Sequence, residues 1–299
     1  MRLFSNKKKR IKHQQALLLK QKSLQLSIMY QHLALTSEAH GTATNTDEII
    51  ISLTSFSHRV NDLYLTIESL FQQSLKADRI ILWLSLKDFP NKVFDLPEQL
   101  KKQMKRGLEV AFCEQDLGPY TKFYYTLKEN PNSLIITVDD DILYPVDLVD
   151  QLYRAYKKEP HIIHCQRAHQ MALSHATELM PYKQWKKDIT ESMADRTVFP
   201  TGVGGVLYFP GCFADEILDK DTFLKLAPNS DDVWLKAMSL KKGVLSKKIA
   251  DSRPWFSRYL VIEGSQLFAL KRKNKSPGQG NDPKLKAVFD HYQLWDQLK

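Results

Sequence analysis

The residues best able to do chemistry are Asp139, Asp140 and Asp141, three consecutive carboxylates that end the apolar run Leu134-Ile135-Ile136-Thr137-Val138. Adjacent like charges raise one another's proton affinity unless a cation intervenes. Hard oxygen ligands of this kind suit Mg²⁺ or Mn²⁺, ions that keep waters and bind phosphate oxygens. Alternation along an extended segment points Asp139 and Asp141 one way and Asp140 the other. A helix cap with surface acids is the plainer explanation, but a cap needs one aspartate, not three. A second acidic pair, Asp231-Asp232, opens a predicted helix; acids are favourable at that positive end, and either could also take a proton as general base.

Further candidates follow the strands. Thr54, Ser55 and Arg59 come after the first strand, where hydroxyls can bond a base or ribose and a guanidinium can meet phosphate; ordinary turn chemistry is the alternative. Asp116 and Lys122 bracket Gly118-Pro119 after the third strand, Asp116 as a candidate for the base and Lys122 for a diphosphate. Gly202, Gly204 and Gly205, read as part of a glycine-rich strand, would let backbone approach a sugar closely, and a structural bulge explains them nearly as well. No Gly-Lys-Ser/Thr follows, so this is not a phosphate loop. His161, His164, His169 and His175 span a strand and a loop with no Cys pair, which favours ordinary histidines over a zinc site.

The elements that must position these residues alternate. Ile49–Leu53, Arg79–Leu84, Leu108–Cys113 and Leu134–Val138 read as buried strands. Helices from Asn61, Pro97, Lys122 and Pro145 lie between and after them. This pattern predicts an α/β fold with a mainly parallel sheet covered on both faces, whose ligands sit beyond the strands' carboxyl ends. Beyond His161–Cys165 the pattern loosens into an irregular stretch from Met171 to Phe199. Helices follow near Ala214–Leu218 and Asp231–Leu240, then a basic loop at Lys271–Lys275 and a terminal helix.

The 299 residues carry a net charge of +9. Residues 1–46 hold eight Lys/Arg and one acid, so the remainder is nearly neutral. The basicity belongs to an N-terminal extension with an apolar stripe, predicted helical, which could lie on an anionic membrane surface. A near-neutral body without a groove-reading motif argues against nucleic acid. The three cysteines form no CxxC pair, no apolar run reaches membrane-span length, and the N-terminus lacks a secretory pattern. The expected place is the cytoplasm, and the extension would allow a peripheral position at the inner face of the membrane. The expected layout is the extension and linker at 1–46, a catalytic domain at 47–270, and a basic loop and helix at 271–299. The domain divides into a nucleotide-binding half (47–145) and an acceptor-binding half (146–270).

Three stretches together resemble the GT-A fold glycosyltransferases, close to the family 2-like enzymes. Ile67-Glu68-Ser69-Leu70-Phe71-Gln72-Gln73-Ser74 followed by Ala77-Asp78-Arg79-Ile80-Ile81-Leu82 is similar to the family's stretch after the first strand. Asp139 and Asp141 match its Asp-x-Asp metal motif, and Ser230-Asp231-Asp232-Val233-Trp234 resembles its later acidic motif. The resemblance spans roughly residues 49 to 240. It implies a Rossmann-like GT-A fold and a nucleotide-sugar donor, most often UDP-linked. It places Mn²⁺ or Mg²⁺ on Asp139 and Asp141, with Asp140 turned toward the nucleotide's sugar or the protein. It assigns the base to Asp232, with Asp231 as alternate, and favours inversion. The acceptor is not legible; the membrane-surface extension would suit a glycan or lipid-linked saccharide, as in bacterial surface polysaccharide synthesis. One departure stands out: no His lies between Val233 and Asp290, and His291 comes late. Asp251 or Asn281-Asp282 could replace the family's C-terminal metal-binding His. A sugar-phosphate nucleotidyltransferase would carry a Gly-rich loop where Ser52–Arg59 has none. A phosphatase would place its Asp pair after an early strand. A non-catalytic sugar-binding or membrane-surface module would not need both acidic motifs.

Overall fold

The computed structural model describes residues 2–174, 179–265 and 280–298. His175 and the basic loop at 271–275 lie outside the described residues. The chain begins with the helix α1 (Arg2–Thr36), and then alternates strands and helices: β1 (Ile49–Thr54), α2 (Val60–Phe71), β2 (Arg79–Ser85), α3 (Glu98–Met104), β3 (Leu108–Cys113), α4 (Thr121–Glu129) and β4 (Leu134–Thr137). The second half runs β5 (Ile142–Leu143), α5 (Leu148–Lys158), β6 (Ile162–Cys165), β7 (Ala168–Gln170), β8 (Val198–Pro200), β9 (Val206–Tyr208), α6 (Lys220–Leu226), α7 (Asp231–Lys241), β10 (Leu245–Lys248), α8 (Trp255–Arg258), β11 (Leu260–Val261) and α9 (Asn281–Tyr292).

Seven strands form one sheet in the order β10-β6-β9-β4-β1-β2-β3. All neighbours are parallel except β9, which runs antiparallel between β4 and β6. The architecture is therefore the Rossmann-like, mainly parallel α/β arrangement expected, with an N-terminal helix added. Strand periodicity divides the core. Ile49, Ile51 and Leu53 face a cluster with α1, α2 and α3, whereas Ile50 joins Ile81 and Trp83 on the α4 side. A second large cluster gathers α4, α6, α7 and α9 around β6 and β9. Helices thus cover both faces.

Two details position the site. From β1 the chain steps outward to β2 and β3, then returns to place β4 on the other side of β1. That reversal leaves a crevice beyond the carboxyl ends of β1 and β4, where open α/β sheets bind ligands. In addition, β11 pairs antiparallel with β5, directly after the three aspartates, and Ile262 N donates to Asp141 O at 2.9 Å. The aspartates are therefore held from both sides.

Several elements differ from expectation. Pro145 precedes its helix by a turn: Pro145 O accepts from Gln73 Nε2 and from Leu148 N, and α5 begins only at Leu148. Gly202–Gly204 forms a 3-10 turn rather than a strand, and only Val206–Tyr208 joins the sheet. The Ala214–Leu218 helix is a 3-10 turn over Asp215–Leu218. The polar stretch after α1 is held to the body: Gly41 N donates to Arg106 O, Ala43 N to Ala77 O, and Asn45 N to Asp78.

Candidate active site

Asp139 leaves the end of β4 and the chain turns at Asp140-Asp141, so the three carboxylates diverge. Asp140 goes inward. Its two oxygens accept from Ser55 Oγ at 2.6 Å and Arg59 Nη1 at 2.5 Å, residues carried by the loop after β1. Burial pushes its carboxyl above the usual range, and Arg59 and Ser55 offset part of that. Arg59 also lies 3.4 Å from Asp141 Oδ2. Thr54 is occupied elsewhere, donating to Trp83 O.

Asp139 turns the other way. Its Oδ1 accepts from Lys122 Nζ at 2.7 Å, and its backbone N–H donates to Tyr144 Oη at 2.8 Å. Lys122 is buried in the first turn of α4, which is clamped to the sheet. Ser52 of β1 reaches Lys122 O and Thr126 Oγ1, and Trp83 of β2 donates to the same Thr126 hydroxyl. Lys122 then bridges to the second half, lying 3.0 Å from Asp231 Oδ2 at the start of α7. Tyr120 fixes that approach by stacking on Phe223 at 4.1 Å and donating to Ala227 O, just upstream of α7.

Asp232 accepts from Gly202 N at 2.9 Å. A Cβ on Gly202 would lie 3.1 Å from Asp232 Oδ1, 3.2 Å from Lys122 Nζ and 3.6 Å from Asp139 Oδ1, so this glycine keeps space open at the centre of the acids. Gly204 and Gly205 do a different job. A Cβ at Gly204 would meet Arg167, and Gly205 has φ +85° with Leu148 against it, so both are accounted for by packing.

The electrostatics are lopsided. Burial works against the Lys122 ammonium, but Asp139, Asp231 and Asp232 more than offset it and hold it protonated well above its usual range. One lysine does not neutralise three carboxylates, of which Asp231 is buried and Asp139 and Asp232 are half-buried. Burial and then Asp231 push Asp232 up to about 7, and burial raises Asp231 despite Lys122. A carboxylate with its proton affinity near neutrality is suited to accept a proton and give it up again.

Among the sequence candidates, Ser55, Arg59, Lys122, Asp139, Asp140, Asp141, Asp231 and Asp232 converge on this edge. Asp116 does not join them: it is exposed, with Oδ1 accepting from Gly118 N. Asp251 is drawn down to about 2 chiefly by Arg253 and also pairs with Arg258 at 2.5 Å, and Asp282 accepts from Tyr182 N. His164 bonds Glu159 O, and His169 Nδ1 accepts from Asp188 N. Among the described residues, no group of three or more His, Cys, Asp or Glu is arranged around a metal position. Asp139 and Asp141 are both partly exposed, but they do not point the same way as alternation predicted: the chain turns there, Asp139 faces Lys122 and Asp141 lies beside Arg59. Each supplies hard oxygen atoms of the kind Mg²⁺ or Mn²⁺ takes together with waters and phosphate oxygens. Tyr144 and the buried Lys236, one turn after Asp232, were not singled out in the sequence; an isolated lysine within the apolar run Val233–Leu240 was the available signal for the latter.

No protein-family profile matches the chain, and no curated protein matches it by sequence. Among solved structures it is similar to S. aureus TarS residues 1–349, at 13% identity and a TM-score of 0.43, covering 81% of this chain and 72% of that one. The same TarS segment in complex with UDP gives 13% identity and a TM-score of 0.44 over 82% and 72%. The inositol-1-phosphate CTP transferase from T. maritima gives 13% identity and a TM-score of 0.41 over 86% of this chain and 98% of that one.

Proposed function

We propose that the chain is a metal-dependent glycosyltransferase that moves a sugar from a nucleotide-diphosphate donor, UDP-linked by preference, to a hydroxyl of a glycan or lipid-linked acceptor. The observation that carries this reading is the meeting of Asp139, from the end of β4, with Asp231 and Asp232, from the start of α7, around one buried lysine.

Each group then has a task. Arg59 and Ser55 hold Asp140, which fixes the turn that presents Asp139 and Asp141. A Mg²⁺ or Mn²⁺ ion on Asp139 and Asp141, when bound, supplies Lewis-acid neutralisation of the departing diphosphate. Lys122 keeps the two acidic motifs together and adds positive charge beside Asp139. Asp232 takes the proton from the attacking acceptor hydroxyl. Direct attack opposite the leaving group inverts the anomeric centre. Gly202 leaves room for the reacting sugar between Asp139 and Asp232. Work on a bacterial surface polysaccharide, in the cytoplasm and peripheral to the inner face of the membrane through residues 1–46, is part of the same reading.

The test is a thermal-shift panel of nucleotide sugars with and without Mn²⁺. A ligand at about 100 times its Kd stabilises the folded state by about 2.7 kcal/mol. The shift should require both donor and metal and vanish in Asp141→Ala. A shift independent of metal, or one that survives that substitution, would overturn the reading. Stabilisation by a nucleoside triphosphate with a sugar phosphate, and not by nucleotide sugars, would assign the chain to the nucleotidyltransferases.

A further inference from the structure

Helix α1 carries two apolar faces, and the fold uses only one. Leu19, Ser23, Leu26, Tyr30 and Leu33 recur at steps of three and four and pack, with Ala34, toward the body. Their partners are α2, α3 and β11. Ser23 Oγ donates to Val261 O at 2.9 Å, Lys22 to Ser257 O, and Lys20 pairs with Glu263, so the helix is fastened to the body from Leu19 to Ala34.

The other face is Leu17, Leu24, Ile28 and Leu35, at steps of seven, four and seven residues. At about 100° of rotation per residue this stripe lies across the helix from the buried one. All four side chains are exposed, Leu24 and Ile28 to 61% each. Single exposed leucines are ordinary, but four large apolar side chains along one helix face signal something that covers them.

Charge decides what that is. Residues 1–36 contain eight Lys/Arg and no Asp or Glu. A second copy packed along the stripe would bring eight more cations beside the first eight, with no acid on either helix to pair with them. An anionic lipid surface supplies both an apolar layer for the stripe and counter-charge for the bases. Among the described residues no helix is long and apolar enough to cross a membrane, so α1 would lie in the interface plane.

We propose that the Leu17–Leu24–Ile28–Leu35 face of α1 docks on an anionic membrane surface while its opposite face holds the catalytic body there. This narrows the peripheral placement put forward above to one face of one helix. Its test uses no substrate, so its failure and a failure of the transferase reading are separable.

Deleting α1 would be a poor probe, because Tyr30 and Ala34 belong to the core. The probe is co-sedimentation of the full chain with vesicles of phosphatidylcholine alone or mixed with phosphatidylglycerol. Binding should require phosphatidylglycerol and weaken as salt rises. The double variant Leu24→Ser/Ile28→Ser should lose about tenfold or more in affinity, with an unchanged melting temperature because both side chains are exposed. A base near an anionic surface contributes about fivefold, so reversing charge at Lys7, Lys8 and Lys9 should cost about a hundredfold or more. Equal affinity for both vesicle types, or undiminished binding by Leu24→Ser/Ile28→Ser, would overturn the proposal. So would a dimer seen by light scattering that the same variant dissolves, which would give the face to a second copy.

Discussion

Two clusters of charge adjoin at one sheet edge and are balanced in opposite ways. In the first, Asp140 is buried, and both its oxygens are taken by Ser55 and Arg59. In the second, Asp139, Asp231 and Asp232 draw on the single ammonium of Lys122. A carboxylate held on both oxygens fixes the backbone that carries it. Under-compensated carboxylates retain negative charge and a raised proton affinity, which are the properties a catalytic base needs. The difference divides one run of three identical residues: Asp140 builds the turn, while Asp139 joins the acids gathered around Lys122.

The sharpest way to break that division is Asp232→Asn. If Asp232 is the base, transfer should fall by about 10² to 10⁴-fold while the fold persists. The wild-type rate should rise as pH passes about 7, where Asp232 ionises. Stability should move the opposite way. The folded pKa lies above the unfolded value, so the folded state binds the extra proton between about 4 and 7 and loses stability as pH rises through that window. Asp232→Asn should lessen that slope, leaving the part that Asp231 and Asp140 contribute. A full rate in this variant would return the role to Asp231.

Lys122→Met comes next. It strands three carboxylates, and breaking a buried pair in this way costs about 3–5 kcal/mol, measurable by urea denaturation. Lys122→Arg should recover part of it. In the first cluster Arg59→Met should cost less, about 1–3 kcal/mol, because Asp140 keeps Ser55 and can take up a proton, a change burial already favours. Equal losses in the two variants would mean that the clusters are not differently balanced after all.

The same contrast governs how much was legible in the sequence. β1, β2 and β4 are buried along nearly their whole length and read as Ile- and Leu-rich runs, so their bounds and the placing of the three aspartates at a strand end follow from local pattern. What lies across the sheet does not. The meeting of Lys122 with Asp231 joins residues over a hundred positions apart and depends on Tyr120 stacking against Phe223, which no local periodicity encodes. β10 escaped notice because Leu245-Ser246-Lys247-Lys248 reads as polar; it is an edge strand, where lysines discourage unwanted pairing. The parallel pattern also hid β9, since three residues after a glycine turn carry no sign of direction.

Lys236 offers the smallest effect and the finest test of balance. It follows Asp232 by one turn of α7, is buried, and its Nζ has no hydrogen-bond partner among the described residues, nor does Ser246 Oγ. Both line a cavity of about 10 Å³ that Asp232 also borders, room for about one water. Burial draws the amine down to about 7, against which Asp195 acts weakly from outside. The folded pKa is below the unfolded value, so the folded state binds fewer protons between about 7 and 10.5 and stability rises with pH across that range. Lys236→Met removes the buried amine without changing the volume much. It should stabilise the protein by about 1–2 kcal/mol near pH 8. That advantage should shrink by at most about 1.4 kcal/mol per pH unit toward pH 10. Urea titrations of both proteins at several pH values measure it. A pH-independent difference would show that Lys236 keeps its proton in the folded state, held by a partner, and that the excess of acid ends at Asp232 instead of meeting an unpartnered base one turn further on.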